Sequence, residues 1–225
     1  MKLYFSPLAC SLGTRIALYE AGADAQFIEV DSKTKRTADG RDFRSINGLG
    51  LVPTLELPNG ARLSENAAVL QFVAAQYPEA RLAPADLWGR AQLQQWLCFI
   101  GTELHKALYL PQLDQAASAE VKAYALAKSE SRLGWLAGHL AGRAFLLDHF
   151  TVADGYLFAV LNWSSVTPVD LKPFPALAAY QRRLLERPSV ARAFAEEREL
   201  YLRELARRRA PQGVTDAGPA PRASS

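Results

Sequence analysis

The sequence predicts a two-part chain: an α/β unit over residues 1–80, a linker at 81–86, and an all-helical domain over 87–209. Three observations carry that prediction. Strand and helix signals alternate up to about residue 80, and helix-type spacing of apolar residues runs alone thereafter. Between the two, Pro78 to Asp86 holds two prolines and few bulky apolar side chains, which marks a break. At 225 residues and 49% hydrophobic, the chain has enough apolar surface for a large core.

Lys2-Leu3-Tyr4-Phe5 is short, aromatic and β-prone, and Ser6-Pro7 ends it. From Ser11 to Gly22 a helical stripe follows (Leu12, Ile16, Tyr19). Gln26 to Val30 alternates polar and apolar residues like a strand. Lys33 to Gly50 reads as a long polar loop with a short helix near Arg41–Ile46. Val52 to Leu57 and Ala61 to Leu63 are strands joined by a Pro58-Asn59-Gly60 turn, and Ser64-Glu65-Asn66 opens a helix through Tyr77. The order βαβ then ββα is that of a thioredoxin-like unit. Beyond the linker, Trp88 to Leu110 presents Leu93, Leu97, Ile100, Leu104 and Leu108 on one face. Further helices are expected at Ala119–Ala141, Thr151–Asn162, Lys172–Glu186 and Ser189–Arg209. In Thr151-Val152-Ala153-Asp154 a hydroxyl and a carboxylate three apart form a helix-start signal, a folding role. Residues 210–225, rich in Pro, Gly, Ala and Ser, are expected to be disordered.

Net charge is +3, all of it contributed from Arg203 onward, so the body of the chain is balanced and nucleic acid is not an expected partner. No apolar run reaches eighteen residues, so no membrane span is expected. The two cysteines, Cys10 and Cys98, form no C-x-x-C pair, and with no export signal the expected compartment is the reducing cytoplasm. No His, Cys and carboxylate pattern has metal-ligand spacing, so no metal is expected. Cys10 falls close to a helix N-terminus, where unpaired N–H groups and the dipole favour a thiolate; a buried core cysteine is the alternative. Cys98, Thr102, His105 and Lys106 share a stripe about 100° from the leucine face, expected to look toward the first domain.

Several stretches together resemble the cytosolic glutathione transferases, and the bacterial beta class in particular. They are M-K-L-Y-F-S-P-L-A-C-S at the start, Asp31-Ser32-Lys33-Thr34-Lys35, Val52-Pro53, Glu65 at the start of a helix, Thr102-Glu103-Leu104-His105-Lys106, and Thr151 to Phe158. The similarity spans residues 1 to about 205. It implies the glutathione transferase fold, glutathione as co-substrate with no tightly bound cofactor, a hydrophobic electrophile as second substrate, and a homodimer. Glu65 then suits the γ-glutamyl ammonium, and the helix N-terminus with Asn66 the adjacent carboxylate. The family usually has Ser or Thr at that second position, which implies altered geometry here. Lys35 would meet the glycine carboxylate. Val52-Pro53 would be a cis-proline turn offering the Val52 backbone to the cysteinyl part. Glycine stands at Gly48 where proline is common, implying a looser loop.

The implied chemistry is stabilisation of the glutathione thiolate. Ser11 is expected to donate to that sulfur, and Cys10 to hold it or form a mixed disulfide with it. The cations of His105 and Lys106 would lower a thiol pKa in the cleft. Phe5 has no hydroxyl to serve as activator, and Tyr4 points to the other face of its strand. Thr102 and Glu103 would be contributed by the neighbouring subunit. Leu8, Tyr109 and Trp163 are expected to line the electrophile side. Two other readings stand beside conjugation: a glutathione-dependent disulfide reductase using Cys10, and a non-catalytic binding module of the same fold.

Overall fold

The computed structural model describes residues 1–209; the expectation of a disordered tail at 210–225 lies outside them. Four strands, β1 (Lys2–Phe5), β2 (Gln26–Glu29), β3 (Thr54–Glu56) and β4 (Arg62–Ser64), form one sheet in the order β2-β1-β3-β4. β1 and β2 are parallel because helix α1 (Ser11–Glu20) carries the chain across between them, whereas the other pairs are antiparallel. In β3 and β4 the turn is closed by Leu57 N–H donating to Ala61 C=O, with Gly60 at φ 83°. Strand alternation divides β1: Leu3 and Phe5 enter the main core, while Tyr4 joins Val30, Phe43 and Ile46 on the opposite face. Tyr4 therefore points away from the cleft.

Helix α2 (Asn66–Gln76) packs with α1 on the main-core side of the sheet, followed by the helices of the second half. These are α3 (Leu87–Phe99), α4 (Leu110–Leu113), α5 (Ala119–Leu126), α6 (Ser129–Leu140), α7 (Val152–Leu161), α8 (Pro175–Leu185) and α9 (Pro188–Arg209). Two expectations are corrected. The helix expected at 88–110 is not regular throughout, because Ile100–Tyr109 joins α3 to α4 as a π-helical stretch. Its wider turns still bury Ile100, Leu104 and Leu108. The single helix expected at 119–141 is two, because the end of α5 tightens: Ala127 N–H reaches Ala123 C=O at 2.9 Å, and Lys128 N–H then reaches only three residues back, to Ala125 C=O at 3.1 Å.

All ten residues of α7 are buried, so this helix is the axle on which both halves turn their apolar faces. Asp154 anchors its start as the sequence predicts. Its carboxylate accepts the Thr151 N–H at 2.8 Å, the Leu146 N–H at 2.9 Å and the Tyr180 hydroxyl at 2.7 Å. Where α1 crosses α7 the backbones nearly touch. A Cβ at Gly13 would lie 2.9 Å from Tyr156 Cα, and one at Gly155 would lie 3.3 Å from Ile16 Cγ2. That crossing sets the position of the helix on which Cys10 sits.

Candidate functional site

A cavity of about 820 Å³ opens along the seam between the sheet unit and the helices. From the first half it is lined by the turn after β1, Ser6 to Cys10, by Lys35, by Val52 and Pro53, and by Glu65 and Asn66. From the second half come Cys98, Thr102, His105 and Lys106, so the predicted stripe does face the first half. The Val52-Pro53 peptide is cis. Glu65 takes φ 68° immediately before α2, and Lys35 takes φ 57° in its turn. Both are strained for residues with a Cβ, and both border the cavity.

Cys10 caps α1, is 7% exposed, and its thiol donates to Val52 C=O at 3.5 Å. Burial pushes this thiol up to about 12, outweighing the lowering by the Lys106 cation and by the N–H groups of Cys10 and Ser11. The expected helix-terminus thiolate is thus corrected: desolvation exceeds the dipole here. His105 is corrected in the same sense. Burial, then the Lys106 charge, bring it down to about 4, so its ring is neutral at pH 7 and Lys106 is the cation of the pair. His105 Nδ1 and the Tyr156 hydroxyl share a hydrogen bond of 2.9 Å.

Three predicted residues do not line the cavity. Ser11 is fully buried and its hydroxyl is engaged with Ser6, donating to its C=O at 3.3 Å and accepting its N–H at 3.4 Å. It cannot reach a sulfur in the cleft. Tyr109 is also buried, with its hydroxyl bonded to Ser164 Oγ at 2.6 Å, so only Leu8 and Trp163 of the expected electrophile wall stand there. Glu103 faces Arg132, with which it pairs at 2.9 Å. Thr102 lines the cavity of its own chain while its hydroxyl donates to Cys98 C=O at 2.9 Å. At Asn66, Oδ1 accepts the Thr14 hydroxyl at 2.8 Å and Nδ2 is buried with no partner among the described residues. The loop containing Gly48 is tied by Asn47, whose Nδ2 donates to Leu51 C=O at 2.8 Å.

The structure adds two residues that the sequence reading missed, Glu197 and Arg15, and shows what holds Leu8. Leu8, at φ 56°, is gripped on both polar groups by the helical half. Its N–H donates to Glu197 Oε2 and its C=O accepts from Trp163 Nε1, each at 2.8 Å. Glu197 is fully buried beside Arg15, with Nε 3.3 Å from Oε1, and Arg15 is itself sandwiched between Phe5 and Phe27. Burial pushes the Glu197 carboxyl up to about 8 against the pull of Arg15 and of the Leu8 N–H. A sequence signal existed: Glu197 falls on the buried stripe Val190–Ala193–Glu197 of α9. Among the described residues, no group of three or more His, Cys, Asp or Glu is placed to hold a metal. No helix there is long and apolar enough to cross a membrane.

Two family models match the chain: the glutathione S-transferase N-terminal domain over residues 9–76 and the glutathione S-transferase C-terminal domain over 112–183. A glutathione S-transferase GstA of Escherichia coli O157:H7 is 36% identical over 199 residues, covering 88% of this chain and 98% of the relative. The structure of BphK, a bacterial glutathione transferase in a ternary complex, is 45% identical, with a TM-score of 0.85 over 88% of this chain and 99% of its own. A sphingomonad glutathione S-transferase complexed with glutathione is 41% identical, with a TM-score of 0.83 over 88% of this chain and 98% of its own.

Proposed function

Because the chain belongs to the glutathione S-transferase family, we propose that it joins the thiol of glutathione to hydrophobic electrophiles, working in the cytoplasm as a homodimer. The observation that carries this reading is convergence: Cys10, Lys35, Val52, cis-Pro53, Glu65, Asn66, Thr102, His105 and Lys106 border one cavity from distant parts of the chain. Glutathione has two carboxylates, an ammonium, two amides and a thiol, and this lining offers a complement to each. Glu65 takes the ammonium, Asn66 Nδ2 and the start of α2 the neighbouring carboxylate, and Lys35 the glycine carboxylate. The Val52 backbone pairs with the cysteinyl residue. Glu103 would act across the dimer interface, from the neighbouring subunit.

A free thiol near pKa 8.5 is only a few per cent ionised at pH 7, so stabilising the anion by two units multiplies the reactive form more than tenfold. In this reading Lys106 supplies the charge, and Cys10, held protonated by burial, turns its S–H from Val52 C=O to the glutathione sulfur. Neutral His105 orients through Tyr156 and supplies no charge. The sulfur then attacks the electrophilic carbon. A C–S bond forms, the bond to the leaving group breaks with its electron pair, and the thiol proton passes to solvent. A buried thiol of raised pKa is a poor nucleophile, which favours conjugation over a reductase that begins at Cys10.

Titration calorimetry with glutathione, paired with conjugation of 1-chloro-2,4-dinitrobenzene, tests the proposal. Micromolar to low-millimolar binding is expected, with loss of tenfold or more in Glu65→Ala. Absence of binding at millimolar glutathione would leave the fold as a binding module of another kind. Loss of disulfide reduction in Cys10→Ala with conjugation kept would assign the two activities to different groups.

A further inference from the structure

We propose that the electrophile half of the cavity is built for an aromatic electrophile bearing a carboxylate, and that Arg198 recognises that group. The inference rests on the conjugation reading above and adds the substrate class. Helix α9 supplies Phe194, Arg198, Tyr201, Leu202, Glu204 and Arg208 to the cavity wall, which Trp163 and Val166 also line. Phe194, Tyr201, Leu202, Trp163 and Val166 give this wall an apolar and aromatic surface suited to a planar hydrophobic ring, while its one carboxylate, Glu204, is engaged by Arg208.

Among the arginines of α9 whose side chains are described, one differs from the rest. Arg192 pairs with Glu196 at 2.9 Å, Arg203 with Glu199, and Arg208 with Glu204, each four residues apart. Arg207 reaches Glu29 on β2 at 3.4 Å. Arg198 has Phe194 and Leu202 at its four-residue neighbours, and among the described residues it makes no ion pair. The other cations on the cavity wall are accounted for: Arg208 by Glu204, and Lys35 and Lys106 by the ends and sulfur of glutathione. The charge left over has the apolar Phe194 and Leu202, both on the cavity wall, one turn to either side of it. A guanidinium there presents a planar fork that fits a carboxylate in two hydrogen bonds. Arg198 is exposed to solvent, so the selectivity is moderate and weakens with salt.

Two preformed conjugates test this on the purified full chain without turnover: S-(2,6-dinitro-4-carboxyphenyl)glutathione and S-(2,6-dinitrophenyl)glutathione, titrated by calorimetry at low and high salt. The carboxylated conjugate is expected to bind about tenfold tighter at low salt. That ratio is expected to fall toward one in Arg198→Gln, with partial retention in Arg198→Lys, and to shrink at high salt. Equal affinities in the unaltered protein, or a ratio that survives Arg198→Gln, would overturn the assignment while leaving conjugation standing. If neither conjugate binds, the conjugation reading fails and takes this one with it.

Discussion

Two loops border the cavity from the sheet unit, and they are held by different means. The turn Ser6–Cys10 is fixed by the helical half, through Glu197 and Trp163 on the two polar groups of Leu8. The loop from Asp31 to Pro53 is held chiefly by itself. Asp31 accepts the N–H groups of Lys33 and Thr34, Asp42 that of Arg44, and Asn47 spans to Leu51. Leu49 and Leu51 stay 70% and 47% exposed. The Cys10 end of the cavity therefore depends on the tertiary fold, and the Lys35 end on local turn chemistry. Damage to the first should cost stability and activity together, and damage to the second activity alone.

The largest effect is expected where one buried partner is removed. Glu197→Leu leaves the Leu8 N–H unbonded and Arg15 with Glu196 as its remaining partner, a loss of about 3 kcal/mol in urea unfolding, whereas Glu197→Gln keeps an acceptor and costs about 1–2 kcal/mol. Equal, small losses for both would show that the turn does not rely on the helical half.

His105 comes next and bears on the same end of the site. Folded, it stays neutral down to about pH 4; unfolded, it takes a proton near pH 6.5. Stability is thus unaffected above pH 6.5 and falls as pH drops from 6.5 to 4, by at most about 3 kcal/mol. Subtracting the melting profile of His105→Asn from that of the unaltered chain should show this slope. A difference that is flat across the window would place the ring in solvent.

Trp163→Phe removes one hydrogen bond to Leu8 while keeping most of the ring, with an expected cost of about 1 kcal/mol and a raised KM for the electrophile. Smallest in stability is Lys35→Ala, within about 0.5 kcal/mol, with a severalfold rise in KM for glutathione. A stability loss there comparable to that of Trp163→Phe would erase the distinction between the loops.

The order of strands and helices was legible because each has its own apolar period, Cys10 and Glu65 because they fall at helix starts, and His105 because it shares a helical stripe with Cys98 and Thr102. Protonation was not legible. The helix terminus argues for a thiolate at Cys10 and the neighbouring lysine for a charged pair at 105–106, but burial, a property of the assembled core, decides both. Ser11 and Tyr109 were placed in the site by proximity along the chain, yet Ser6 and Ser164 take their hydroxyls inside the protein. Glu197 and Arg15 were passed over because an acidic or basic residue in a helix usually faces water. Here each lies under the turn that carries the thiol.

The bare crossing of α1 and α7 at Gly13 and Gly155 limits how this architecture can be recombined. A chimera that takes its first 80 residues from one relative and its helices from another must import both glycines as a matched pair. An alanine at residue 13 would press on the backbone of Tyr156 and wedge the halves apart, and one at residue 155 would make Ile16 yield by a few tenths of an ångström, even though neither position lines the groove.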